Sequence, residues 1–136
     1  TGEIAAVEGT PMDFRTEKQI GQDIRADFEQ LHFTGGYDHN YVLGRPGEKK
    51  IMANAYCRES GIALEAETDC CGVQFYAGNF IGEQTGKGGA SYHDRSAFCL
   101  ESQFYPNAVN EPDFPSPVVK AGDTYHTETS YLFYLR

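Results

Sequence analysis

The sequence lacks a surplus of basic residues. Eleven lysines and arginines stand against twenty aspartates and glutamates, which gives a formal net charge of -9. Nucleic-acid binding depends on contacts between basic side chains and phosphates, and the chain contains no basic stripe that could supply them. We therefore expect no nucleic-acid partner, and a neutral or cationic ligand fits the composition better.

Long apolar runs are also missing. No run approaches the roughly 18 residues that a membrane helix needs. The N-terminal residues "TGEIAAVEGT" contain neither the basic segment nor the apolar segment of a signal peptide. We expect no membrane association. The first residue is Thr1 rather than Met, which suggests that the true start of the protein lies elsewhere.

Metal-binding spacings are absent too. The cysteines include a vicinal pair but no C-x-x-C, and the four histidines have no partner at a ligand spacing. We therefore expect no metal site and no cofactor. We interpret the cysteines as reduced thiols in a cytoplasmic protein, with the vicinal pair buried or half-buried. The four cysteines are Cys57, Cys70, Cys71 and Cys99.

Alternating apolar residues and frequent turn residues predict an all-β chain of antiparallel strands, arranged as a β-sandwich or a barrel. At 136 residues the chain suits a single domain, 1–136. The clearest element is a hairpin of residues 51–57 and 62–68 around a turn at 59–61. Other predicted strands span 41–43, 73–76, 97–102 and 124–135, and one helical turn is predicted at 27–31.

Three polar residues beside aromatic rings are candidates for sugar binding. Asp38 lies in "GGYDHNYVL", Gln74 in "GVQFYAGNF" and Glu101 in "FCLESQFYP". Carboxylates and amides bond to sugar hydroxyls, while aromatic rings stack on the C–H faces of sugars. We expect neighbouring rings to enclose Glu101 partly. These rings are Phe98, Phe104 and Tyr105.

Each candidate also has a simpler interpretation. Asp38 could form a turn by bonding its own backbone. Glu101, on an alternating strand, could face solvent. Gln74 taken alone is typical of a half-exposed strand residue.

Three ordered blocks resemble the signature blocks of the aldose 1-epimerase (galactose mutarotase) family. They are "GGYDHNYVL", "GVQFYAGNF" and "SAFCLESQFYPNAVNEPDFPSPVVKAGDTY", and the resemblance covers essentially the whole chain. It implies a β-supersandwich of more than twice this length, of which residues 1–136 are the C-terminal half. The N-terminal half would then be absent, together with the catalytic histidine, a second histidine and a sugar-binding arginine.

The same resemblance implies the role of each candidate. Glu101 matches the general base, while Asp38 and Gln74 match residues that contact the sugar. His39 and Asn40 match motif positions that we interpret as stabilising the corner of the strand in "GGYDHNYVL". The implied reaction interconverts the α and β anomers of aldohexoses such as galactose and glucose by acid and base catalysed ring opening.

The implied partners are a monosaccharide substrate and the N-terminal half of the same protein. An isolated half would lack the general acid, so we expect it to be nearly inactive. It would also expose strand edges and apolar faces, which makes a homodimer possible.

Three other functions are compatible with the residues alone. One is a non-catalytic carbohydrate-binding β-sandwich module. Another is a glycoside hydrolase in which Asp38 and Glu101 form a carboxylate pair. The third is a structural β domain. We favour an epimerase because the resemblance accounts for all three polar residues together.

Overall fold

The computed structural model describes residues 1–136, and strands make up most of its regular secondary structure. One short helix, α1, spans Glu29–Thr34, and single 3-10 turns lie at Lys87–Gly89 and Ala108–Asn110. The predicted all-β class is confirmed. The strands are β1 (Asp38–Val42), β2 (Lys50–Tyr56), β3 (Ile62–Thr68), β4 (Gly72–Tyr76), β5 (Gln84–Thr85), β6 (Ser91–Tyr92), β7 (Cys99–Gln103) and β8 (Thr129–Leu135).

The strands form three sheets. Two have three strands each, in the orders β1-β4-β7 and β2-β3-β8, and the third pairs β5 with β6. The hairpin predicted from alternation is confirmed as β2 and β3, which pair antiparallel from Lys50 opposite Thr68 to Tyr56 opposite Ala63. On its other side β3 pairs antiparallel with β8.

A β-bulge interrupts the predicted alternation of β2. The register between β2 and β3 shifts between Ile51 and Ala53. Because a bulge inserts one extra residue, side chains before and after it no longer follow one period of two. Met52 is consequently buried, whereas Ile51, which simple alternation would place on the same face as Ala53, is 52% exposed.

Residue contacts divide the chain into two compact units. The first comprises Thr1–His39 and Phe75–Cys99, and the second comprises Asn40–Gln74 and Leu100–Arg136. The assignment of residues 1–136 to a single domain stays a prediction.

The first unit has an aromatic core. The rings of Tyr37 and Phe75 stack with centroids 5.5 Å apart, and Phe14 meets both edge-on at 4.9 and 5.4 Å. Phe98 contacts Phe75 edge-on at 6.3 Å. Edge-to-face and offset contacts are the favoured geometries of aromatic pairs, and Tyr37 at their centre is fully buried.

The core of the second unit combines side chains from both three-stranded sheets. Met52 of β2, Ala66 of β3 and Val73 of β4 form a buried cluster. Tyr41 and Leu100 pack against it from β1 and β7. This packing of one sheet face on another is that of the predicted sandwich.

The last strand is shorter than predicted. Alternation predicted a strand over 124–135, but β8 begins at Thr129. The carboxylate of Asp69 accepts hydrogen bonds from Thr127 Oγ1 at 2.6 Å and from the Glu128 backbone N–H at 3.0 Å. The Asp69 side chain thus binds the backbone N–H of Glu128, which a longer strand would use for pairing. Strand β8 therefore begins at the next residue, Thr129.

Two further predictions concern the cysteines and the helix. All four cysteines are free, and Cys70 and Cys71 are both buried, as predicted. The predicted helical turn at 27–31 is present, but it begins two residues later and extends to Thr34. No helix of the chain has the length and apolar character required to cross a membrane.

Candidate functional site

In the second unit, Gln74 and Glu101 lie on the same side of two neighbouring strands. Val73 of β4 and Leu100 of β7 both pack into the cluster around Met52. Because successive side chains of a strand point to opposite faces, Gln74 and Glu101 face away from that cluster. The strands β4 and β7 are adjacent in their sheet.

We call the side of β1, β4 and β7 that faces away from Met52 the outer face. A hydrogen bond between Asn40 and Gln103 supports the placement of Gln74 and Glu101 on it. Gln103 Nε2 donates to Asn40 Oδ1 at 3.2 Å. A Cβ atom added to Gly72 would lie only 2.6 Å from Asn40 Oδ1, so the Asn40 amide covers the backbone at Gly72. Gly72 and Gln74 share one side of β4, and Glu101 and Gln103 share one side of β7. The outer face of the second unit therefore carries the polar side chains of Asn40, Gln74, Glu101 and Gln103.

The two residues differ in accessibility. Gln74 is half-buried, whereas Glu101 is exposed. The expected enclosure of Glu101 by aromatic rings is wrong for this chain. Tyr105 instead turns into a buried cluster with Cys71, where its ring meets Phe114 edge-on at 5.1 Å. Burial raises the pKa of Tyr105.

Asp38 belongs to the first unit, where it is the half-buried first residue of β1. Its backbone N–H donates to His39 Nδ1 at 3.1 Å. Burial lowers the pKa of His39, which favours the neutral ring. Because one nitrogen of a neutral imidazole carries no hydrogen, Nδ1 can accept this bond. The bond agrees with our interpretation of His39 as a residue that stabilises the corner. Whether Asp38 shares a site with Gln74 and Glu101 stays a prediction.

Sequence reasoning missed two polar contacts near the candidates. The partner of Asn40 is Gln103, whose position two residues after Glu101 was the available signal. The second is Asn79, in the block "GVQFYAGNF", which binds the backbone just before Asp38. Across the whole chain, no group of three or more His, Cys, Asp or Glu side chains could hold a metal ion.

Comparison with known proteins assigns the family. The family model for aldose 1-epimerase matches residues 1–132. The chain belongs to the aldose 1-epimerase family.

Named relatives agree with this assignment. The chain is 43% identical to galactose mutarotase from Sus scrofa and 35% identical to aldose 1-epimerase from Escherichia coli, over 98% and 96% of its length. It spans 38% of the length of each of these relatives. The crystal structure of a GalM/aldose epimerase homologue from C. elegans superposes with a TM-score of 0.75 at 27% identity, covering 99% of this chain and 40% of that one.

Proposed function

We propose that this chain carries the general base and part of the sugar-binding site of an aldose 1-epimerase, an isomerase of aldohexoses such as galactose and glucose. The names of its relatives, galactose mutarotase and aldose 1-epimerase, support this reaction class. The observation that supports it most directly is the polar outer face of the second unit, where an exposed carboxylate, Glu101, and the amide of Gln74 lie on adjacent strands.

Glu101 is the proposed base, and Gln74 and Asp38 are the proposed sugar ligands. The exposed carboxylate of Glu101 is open to an approaching sugar. The amide nitrogen of Gln74 can donate to hydroxyl groups, whereas its Oε1 is buried. Asp38 is proposed from the family resemblance alone, through its place in the block "GGYDHNYVL".

The proposed reaction needs one base and one acid. Glu101 removes the proton of the C1 hydroxyl while an acid protonates the ring oxygen, and the bond between C1 and the ring oxygen breaks. The resulting aldehyde rotates about the C1–C2 bond. The ring oxygen then attacks either face of C1 and returns its proton to the conjugate base of the acid, while Glu101 returns its proton to the C1 oxygen.

We propose that the acid is a histidine outside residues 1–136, as the family resemblance implies. A positioned acid or base contributes typically about 10² to 10⁴ in rate, so these 136 residues by themselves should be nearly inactive. The proposed partner that completes the site is the N-terminal half of the same protein, whether covalently joined or added separately.

Polarimetry tests the proposed function. We expect the full-length protein to accelerate the change in optical rotation of freshly dissolved α-D-galactose and α-D-glucose. Purified residues 1–136 should add almost nothing to the spontaneous rate, and activity should return when the N-terminal half is added. Full activity from residues 1–136 alone would contradict the need for an external acid. Sugar binding without anomer conversion by the full-length protein would instead indicate a carbohydrate-binding module.

We also propose that residues 1–136 self-associate when isolated. Strand β8 lies at the edge of its sheet, and Phe133 and Leu135 on it are 66% and 81% exposed. An unpaired edge with apolar side chains favours pairing with another chain. Sedimentation velocity should show dimers or larger species, and Phe133→Lys should shift the distribution toward monomer. A monodisperse monomer of the unchanged sequence would contradict this proposal.

The proposed location is the cytoplasm. Four free cysteines without any disulfide support a reducing compartment.

A further inference from the structure

The chain turns sharply just before Asp38. Helix α1 ends at Thr34, and Gly35 and Gly36 follow with φ angles of 64° and 144°. The backbone N–H groups of both glycines donate to the carbonyl of Leu31. Two successive residues with positive φ reverse the chain and direct it into β1, so this turn sets the position from which the Asp38 side chain starts.

Side chains satisfy every backbone carbonyl of this turn. Asn79 Nδ2 donates to the carbonyls of Thr34 and Tyr37, at 3.1 and 3.0 Å. Arg95 donates to the Gly35 carbonyl at 2.7 Å, and the Thr34 hydroxyl donates to the Gly36 carbonyl at 2.6 Å. Turn carbonyls usually bond to backbone or water. Three of these four bonds come from Asn79 and Arg95, so side chains outside the turn fix its shape.

Asn79 contributes most to this arrangement. Its side chain is buried, with 4% exposure, and a single amide nitrogen joins the two ends of the turn. Its Oδ1 is buried without a hydrogen-bond partner, which is unfavourable by itself. A Cβ atom on Gly36 would collide with that oxygen, so the turn passes directly against Asn79. The two donated bonds offset the cost of the buried oxygen.

Tyr37 fixes the end of the turn. Its ring is fully buried against Phe75 and its hydroxyl donates to the Pro11 carbonyl at 2.9 Å. Burial, followed by the nearby charge of Asp23, raises the pKa of Tyr37 to about 12, which keeps this donor protonated. The Tyr37 carbonyl also accepts the Ala77 backbone N–H at 2.9 Å. Tyr37, immediately before Asp38, is thus fixed through its ring, its hydroxyl and its carbonyl.

We infer that Asn79, assisted by Arg95, is a positioning residue for sugar binding, which fixes the turn of residues 34–37 and through it the direction of the Asp38 carboxylate. This inference rests on the proposed function, since it requires that Asp38 contact the sugar. In this proposal Asn79 and Arg95 act through the turn and are not sugar ligands.

A double-mutant cycle in the full-length protein tests the inference. Asn79→Ala should lower kcat/KM for galactose about 10- to 100-fold, mainly through KM, because misplaced binding groups cost rates of this order. In the Asp38→Ala background the same change should lower kcat/KM by less than about twofold, since a residue that acts only through Asp38 has nothing left to position. Asn54→Ala, at an exposed position of β2, is the matched control and should leave kcat/KM unchanged.

The outcomes separate the two hypotheses. Equal losses in both backgrounds would show that Asn79 does not act through Asp38, which overturns the inference alone. An unchanged kcat/KM in Asp38→Ala would overturn the proposed role of Asp38 and the inference with it. If Asn79→Ala does not fold, the cycle is run with Arg95→Gln, an exposed position, against Arg58→Gln as control. A smaller loss that disappears without Asp38 supports the inference, and no loss overturns it.

Discussion

Replacing Glu101 with glutamine in the full-length protein is expected to lower kcat for galactose about 10²- to 10⁴-fold, the range for removing one general base. The amide keeps the size and planarity of the carboxylate and can still hydrogen-bond the C1 hydroxyl. It cannot accept the proton of that hydroxyl, so the step that opens the ring loses its base. KM should change little, because an effect confined to kcat marks an interaction that matters in the transition state.

The assay follows optical rotation from freshly dissolved α-D-galactose, with an independent measurement of sugar binding. Glu65→Gln is the matched control, since it removes a carboxylate from β3 in the same unit. The control should retain full kcat. If Glu101→Gln turns over sugar at the original rate, Glu101 is not the base. If sugar binding is lost instead, Glu101 is a ligand rather than a proton acceptor.

The strands that follow simple alternation could be predicted from the sequence. The hairpin of β2 and β3 has alternating apolar residues and a short turn containing Gly61, and the structure confirms it. The bulge that buries Met52 could not be foreseen. It depends on the register of a partner strand, which a single strand's pattern does not contain.

The start of β8 shows a second limit of local pattern. Residues 124–128 continue the alternation, yet they lie outside the strand. The reason is Asp69, 58 residues before Thr127, whose carboxylate binds the hydroxyl of that residue. Alternation predicts which residues can pair along a strand. Here the side chain of Asp69, distant in sequence, determines where pairing begins.

The candidate site divides in the same way. The family resemblance pointed to Glu101 and Gln74, and their common face follows from the period of two along each strand once the core residues are known. Asn79 escaped notice because it acts on the backbone of Thr34, 45 residues earlier. In the sequence, Asn79 cannot be told apart from an ordinary loop residue. Only the fold reveals what it binds.

Stability at the turn before Asp38 gives the second large expected effect. Gly36→Ala should lower the free energy of unfolding for two reasons. A φ of 144° is strained for alanine, at about 1 to 3 kcal/mol. The new methyl group would also collide with Asn79 Oδ1 and approach Ile24 Cγ1 to 3.1 Å, and overpacking of this kind costs about 1 to 3 kcal/mol more. Since domains are stable by only about 5 to 15 kcal/mol, urea denaturation should reveal a much lower midpoint.

Gly44→Ala separates these two contributions. Gly44 has a similar φ of 130°, but a Cβ atom there would meet nothing within 4 Å, so only the backbone strain applies. The loss of stability at Gly36 should therefore exceed that at Gly44 by the cost of the collision. Adding Asn79→Ala to Gly36→Ala removes the oxygen that the methyl group meets, so the double variant should be more stable than the sum of the single losses predicts. Strictly additive losses, or equal losses at Gly36 and Gly44, would mean that Asn79 does not press against the turn that leads to Asp38.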